Sequence, residues 1–364
     1  MSNSRKIIVI GGGVAGLSIG WRLAQTGAAV TLLEKGETGR GATWAAAGML
    51  AVAGEQAHGH SPETGLAHQA QSLWPDFARE VESASGLMVD YRHSGSLIVA
   101  MNEDAAKALR ERAAGDKTVE WTEAAKARTM EPMLADQIAG ALWAPGDAQV
   151  DPRKLVTALR AAFEKAGGVV RCGEEVTRID SQHTHVNAVR TTKANYAADA
   201  FVLAAGAWSG ILEARLQIRP IKGEIIALAP PQPAYMPRHV VWGDKIYLVP
   251  RGEQLIAGST MEDVGFDTAT TKAAADEIFA RACDLMPNLK SWNIVDHWAG
   301  LRPRSPDFLP LLGPTGFSNL FAATGQFRNG ILFAPAIADM VRKFVLEHPV
   351  HAPHFDPRRF SVAE

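Results

Sequence analysis

Cysteine is nearly missing from this chain of 364 residues: Cys172 and Cys283 are the only two, and they stand far apart. That leaves no disulfide framework and no C-x-x-C redox or Cys-based metal motif, and it makes a reducing cytosol the default compartment. An excess of one charge is missing too. With 37 Lys+Arg against 39 Asp+Glu the formal net charge is −2, so neither a basic nucleic-acid module nor any polyelectrolyte partner is implied. Long apolar runs are the third lack. Residues 7–20 follow Arg5 and Lys6 as a signal peptide would, but Gly11, Gly12, Gly13 and Gly16 interrupt them. The last apolar segment is broken by Asp339, Arg342 and Lys343. Nothing approaches a span of about 20 apolar residues. A hydrophobic share of 47% with 21% charge is that of a globular chain, long enough for two domains of roughly 150 residues. A soluble, unprocessed, cytoplasmic protein is expected, with no membrane span and with a homo-oligomer left open.

What is present begins with a βαβ pattern. Residues 6–10 form a β-branched run, a glycine cluster follows, residues 14–26 show helical spacing ended by Gly27, and residues 29–33 read as a second buried strand closing on Glu34. A further apolar strand, 200–204, comes after a helix at 153–165 that Asp151-Pro152 caps. Between these units the texture changes. Residues 93–101, 140–144, 222–228, 245–250 and 254–259 read as antiparallel strands, interrupted by a helix at 271–286. The expected architecture is α/β: a discontinuous Rossmann-like domain over 1–88, 150–219 and 298–364, carrying an inserted antiparallel-sheet domain from 89–149 and 220–297.

Gly11-Gly12-Gly13-Val14-Ala15-Gly16 fits G-x-G-x-x-G directly after a strand and at a helix start. Gly11 permits the tight turn, Gly13 lets a pyrophosphate approach the backbone, and Gly16 allows close helix–strand packing. Glu34 lies at the end of the second strand, where a carboxylate accepts both hydroxyls of a free adenosine ribose. The motif does not separate NAD from FAD. There is no second G-x-G-x-x-G and no dithiol, so electrons should come from the substrate rather than from a nicotinamide. G-x-S-x-G and P-loop patterns are also missing. His58 and His60 lack a third metal ligand at plausible spacing and read as a solvated loop, and His239 and His297 read as structural.

Three further segments separate the cofactors. Residues 39–50 (GRGATWAAAGML) carry small side chains that let backbone amides lie against a phosphate and a ring. Residues 202–209 (VLAAGAWS) run from an apolar strand into a Gly-Ala-Trp-Ser turn, and residues 325–332 (GQFRNGIL) stand near the C-terminus. In this order they resemble the FAD-dependent glycine oxidase and D-amino acid oxidase family, and most of all the glycine oxidases of thiamine biosynthesis. The resemblance runs from Lys6 to about Phe344. It implies a glutathione-reductase-type fold, a non-covalent FAD and an antiparallel substrate domain. It implies cofactor contacts from Gly11, Gly13, Val14, Ala15, Gly16, Glu34 and Lys35, then from Arg40, Gly41, Ala42, Thr43, Ala46, Ala47, Gly48, Met49 and Leu50. Val176, Ala205, Gly206 and Trp208 follow, with Arg302 and then Gln326, Phe327, Arg328, Asn329, Gly330 and Ile331 at the flavin ring. Gln326 departs from the pattern, since glycine oxidases usually carry His there, which bears on pH behaviour and oxygen reactivity.

The segment 298–307 (WAGLRPRSPD) resembles the family's substrate-binding stretch, with Arg302 as the arginine whose fork takes a carboxylate. An ordinary ion pair with Asp307 is the alternative. Tyr247 and Met261 match positions that line the substrate pocket; a core tyrosine and a gap-filling methionine would look the same in sequence. Arg328 faces either substrate and flavin or a scaffold ion pair, and Met49 makes a weaker claim on the same site. Arg304 reads as a surface residue. The implied activity is oxidative deamination of glycine or a small amino acid or amine, with hydride transfer to flavin N5 and oxygen as acceptor. A D-amino acid or sarcosine-like dehydrogenase using a quinone, or a non-catalytic flavoprotein subunit, are the alternatives.

Overall fold

The computed structural model describes residues 4–55, 61–233, 235–346 and 352–360, so His58 and His60 lie outside the described residues. Lys6–Ile10 is buried at four of its five positions, as a strand covered on both faces must be. It pairs in parallel with Ala29–Glu34 on one side and Ala200–Leu203 on the other. Val169–Cys172 and Leu320–Thr324 extend this sheet in parallel, and Leu311–Pro314 closes it as an antiparallel edge. Alternate residues of the first strand feed two cores. Ile7 and Val9 pack with Trp21, Trp74, Phe77 and Phe163 under the helices Val14–Ala24, Pro62–Ser85, Pro152–Lys165 and Ala334–Leu346. Ile8 and Ile10 pack with Phe201, Leu203 and Val186 under a three-stranded meander, Val176–Gln182, His185–Thr191 and Asn195–Tyr196.

The second sheet has eight strands in the order Asn293–Arg304, Arg219–Ala229, Gln254–Gly258, Ile246–Arg251, Val240–Gly243, Ser96–Ala100, Gly140–Ala144, Glu120–Glu123. It departs from the expected wholly antiparallel sheet at one join, because Val240–Gly243 runs parallel to Ser96–Ala100. The two inserted stretches meet there, and no hairpin ties their directions. The ladder between Arg219–Ala229 and Asn293–Arg304 runs unbroken from Arg304 to Asn293 with one register shift, so a boundary at 298 cuts a strand that the sheet keeps whole. Across this sheet Trp298, Ile225, Gly258, Tyr247 and Trp242 form one row of paired residues. Gly258 is needed in the middle of it, since a Cβ there would lie 2.7 Å from the Tyr247 hydroxyl and 3.0 Å from Ile225. The expected helix over 271–286 spans Lys272–Leu285, with the Thr271 side chain accepting from the Ala274 amide as its cap.

The first strand and first helix touch at Gly16, where a Cβ would come within 1.9 Å of the Gly11 carbonyl oxygen. Backbone cannot swing aside as a side chain can, so Gly16→Ala should lower stability by about 1–3 kcal/mol. Gly65, exposed on the helix Pro62–Ser85 with nothing near its would-be Cβ, is the control: Gly65→Ala should stabilise by roughly 0.5–1 kcal/mol. Urea midpoints of the two variants test this, and a Gly16→Ala midpoint at or above wild type would refute the close-packing account.

Candidate active site

A cavity of about 610 Å³ lies between the two sheets and is lined from Gly11 and Glu34 at one end to Tyr247 and Arg302 at the other. At the first end Gly11 has φ +108°, and a Cβ would meet the Ala204 carbonyl oxygen at 2.4 Å. Its amide donates to the Leu33 carbonyl at 2.8 Å, so the turn is drawn tightly over the strand ends. Gly13, in extended conformation, is the N-cap of the helix Val14–Ala24 and has no side chain to cap it. The Thr43 hydroxyl does that instead, accepting from the Val14 amide at 3.0 Å. The rest of the turn keeps the positive end of the helix, which attracts a phosphate.

Glu34 is oriented before any ligand arrives, since its two carboxylate oxygens accept from the Gly12 amide at 2.7 Å and the Gly36 amide at 3.0 Å. Each oxygen keeps further acceptor capacity for a ribose hydroxyl. Beside it the Lys35 ammonium sits 3.3 Å from the centre of the Trp208 ring. Burial holds Lys35 below the ordinary lysine range, against the opposing pull of Glu34 and Glu175.

The small-residue segment that follows is fastened from below. The half-buried Arg251 guanidinium donates to the Ala46 and Ala47 carbonyls at 2.9 and 2.6 Å, and the Trp298 indole donates to the Ala45 carbonyl at 3.0 Å. The Arg153 guanidinium stacks 3.7 Å from the Trp44 ring centre. A Cβ on Gly48 would strike the Val150 carbonyl at 2.0 Å, and one on Gly300 would strike Ala45 at 2.4 Å. Arg251 and Arg153 are not evident in the sequence, because the carbonyls they hold lie roughly a hundred residues or more away.

On the opposite wall the Arg302 guanidinium donates from Nη1 to the Thr260 carbonyl at 3.2 Å and the Lys222 carbonyl at 3.4 Å, and from Nη2 to the Ser259 hydroxyl at 2.7 Å. It lies flat over Gly223, where a Cβ would be 2.1 Å from Nη1. Asp307, the alternative partner, is taken by Arg359 through two contacts of 2.8 Å. Gln326, Phe327, Arg328, Gly330 and Ile331 line the cavity beside Arg302. The Gln326 amide nitrogen is buried without a hydrogen-bond partner.

Four of the expected residues do not reach the cavity. Met261 is 57% exposed: the strand ends at Gly258, so the alternation that would turn residue 261 inward does not continue. Leu50 is fully buried in the helix-layer core, and the Asn329 amide donates to Glu63. Gly16 lies beneath the turn and acts through packing alone. Glu174, Glu175, Thr177, Ile211, Leu212 and Ser259 line the cavity without having been expected. Among the described residues no group of His, Cys, Asp and Glu is placed to hold a metal, and no helix is long and apolar enough to cross a membrane.

The chain carries a glycine turn at a helix N-terminus, a pre-oriented carboxylate, a backbone-walled cavity and an unspent buried amide donor at its far end. This fits a flavin dinucleotide and defines an FAD-dependent oxidoreductase. The chain belongs to the family described as DAO, FAD dependent oxidoreductase, which matches residues 6–343. It is 35% identical to the glycine oxidase of Geobacillus kaustophilus over 94% of both chains. The crystal structure of glycine oxidase from that organism superposes with a TM-score of 0.91 at 32% identity, covering 98% of this chain and 99% of that one. It is also 35% identical to the bifunctional protein ThiO/ThiG of Trichormus variabilis over 98% of this chain, but spans only 55% of that relative's length.

Glu34→Gln keeps the shape of the carboxylate but removes a charge-assisted acceptor, so FAD affinity should fall by about 1–3 kcal/mol. Flavin fluorescence on dilution measures this. Unchanged retention would show that Glu34 serves only the Gly12 and Gly36 amides.

Proposed function

We propose that this chain oxidises glycine or another small amino acid or amine at its Cα–N bond to an imine, which water hydrolyses to the carbonyl product (a 2-oxo acid from an amino acid) and ammonia or an amine, with hydrogen peroxide formed when oxygen is the acceptor. The observation that carries this reading is Arg302, held by two backbone carbonyls and a serine hydroxyl on the wall of the same cavity that the glycine turn and Glu34 line. A guanidinium fork fixed in this way meets a carboxylate in one plane, which sets the orientation of the attached Cα. When bound, FAD supplies a hydride acceptor and returns the electrons to an external oxidant. The protein's task is then orientation and exclusion of water.

Tyr247, buried and edge-on to Trp242 at 5.6 Å between ring centres, stands in the same wall and can donate its hydroxyl to the carboxylate. Arg328, exposed at the cavity's edge, adds a second positive charge to draw an anionic substrate in. Met49 and Ile225 supply apolar surface that keeps water from the reacting carbon. Two cysteines, neither in a disulfide, suit the cytoplasm. The names of the glycine oxidase relatives support the same substrate class.

The test is an amino-acid panel mixed anaerobically with the yellow protein, followed by the same panel in air with peroxide detection. Glycine, sarcosine and small D-amino acids should bleach the flavin ahead of L-amino acids. Arg302→Lys keeps the charge and loses the planar fork. It should retain FAD and its visible spectrum while kcat/KM falls by about 10- to 1000-fold, or roughly 1.4 to 4 kcal/mol. Near-wild-type kinetics in a folded, yellow Arg302→Lys protein would sink the carboxylate-clamp assignment.

A further inference from the structure

The strand Arg219–Ala229 has two faces, and only one looks onto the cavity. Ile221, Gly223 and Ile225 share that face with Arg302, Gly300 and Trp298, to which they are paired. Lys222 and Glu224 point the other way and are almost wholly buried. There the Lys222 ammonium contacts Glu224 at 3.0 Å and Glu262 at 3.2 Å, and donates to the Ala269 carbonyl at 3.1 Å. The other Glu224 oxygen accepts from the Thr271 amide at 2.9 Å and meets His297 Nε2 at 2.8 Å. The Glu224 amide donates to the Thr260 hydroxyl at 2.9 Å, and that hydroxyl donates to Glu262 at 2.8 Å.

We propose that this buried network is what holds Arg302 in carboxylate-binding geometry, with Glu224 and Thr260 as positioning residues for the substrate. The inference rests on the reading of Arg302 as the clamp. The acceptors that hold the guanidinium include the carbonyls of Lys222 and Thr260 and the hydroxyl of Ser259. Residues 259 and 260 lie past the end of the strand Gln254–Gly258, so the regular ladder does not fix them. An isolated bridge does, through Lys222 and Glu262 amide–carbonyl bonds of 2.9 and 3.0 Å. The ion network clamps both ends of the loop that follows: Thr260 and Glu262 at its start, Ala269 and Thr271 at its return.

Arg302 is a long side chain that would otherwise lose rotamer freedom on binding a ligand; prior immobilisation by fixed acceptors removes much of that cost. Both central groups keep their charge. Burial pulls Lys222 down, but Glu224 and Glu262 outweigh it and hold the ammonium above its ordinary range. Burial pushes Glu224 up, and the Thr271 amide and Lys222 outweigh that in turn. A buried pair of this kind adds little net stability and much geometric definition.

The test uses the FAD-loaded protein and acetate, a carboxylate without an amine, titrated through the flavin absorption spectrum. Glu224→Gln should leave FAD content unchanged and raise the acetate dissociation constant by about 10-fold, with KM for the amino acid rising more than kcat falls. Thr260→Val keeps shape and volume, removes only the linking hydroxyl, and should weaken acetate by a few-fold; it carries the test if Glu224→Gln fails to fold. In an Arg302→Lys background, Glu224→Gln should add less than about two-fold, because the group it positions is gone. Unchanged acetate affinity in both single variants, or full additivity in the double variant, overturns the positioning role. Unchanged acetate affinity in Arg302→Lys alone overturns the clamp reading itself.

Discussion

The ladder between Arg219–Ala229 and Asn293–Arg304 pairs Ile221 with Arg302, Gly223 with Gly300 and Ile225 with Trp298, and the two-residue period of a strand then decides where each chemistry-bearing side chain goes. Of the odd positions of the first strand, Gly223 and Ile225 line the cavity. Gly223 has no side chain, so the guanidinium of Arg302 can lie against bare backbone there. Even positions face away and bury Lys222 and Glu224. A slip of this strand by one residue would turn Lys222 and Glu224 into the cavity and Gly223 and Ile225 out of it.

The other half of the site is joined to this ladder by long polar side chains that end on main-chain carbonyls. Arg251 reaches Ala46 and Ala47, and Trp298 reaches Ala45. A hydrogen bond from a charged donor to a buried carbonyl is worth about 1.5–3 kcal/mol, and several of them across one seam fix two sheets relative to each other. The residues they hold are Ala45, Ala46 and Ala47. An alanine side chain cannot grip, and its smallness is what brings backbone close to a ligand. The grip therefore had to come from elsewhere in the chain.

The electrostatics of the cavity follow the same division. The dinucleotide end offers a helix N-terminus, whose cap is supplied by Thr43 from another element, and a carboxylate that loop amides have already aimed. The far end offers Arg302, Arg328 and the buried amide of Gln326. On the proposed reading the first end takes phosphate and ribose and the second an anionic substrate, with small side chains along the middle.

The first βαβ unit could be read from sequence because Lys6–Ile10, the glycine turn, the helix Val14–Ala24 and Ala29–Glu34 interact within about thirty residues and each carries its own periodicity. The inserted strands Gly140–Ala144, Ile246–Arg251 and Gln254–Gly258 were legible for the same reason, as was the capped helix Lys272–Leu285. Pro62–Ser85 was not, because the helix carries Pro75 within it, and the packing of Trp74 and Phe77 sustains it against that local cost. Neither were the parallel join at Val240–Gly243, the inward or outward turn of Met261, or Arg251 and the Glu224 network. Those depend on which strand edges meet and where a ladder stops. Such choices are made by pairing between segments far apart in the chain, and local propensity carries no record of them.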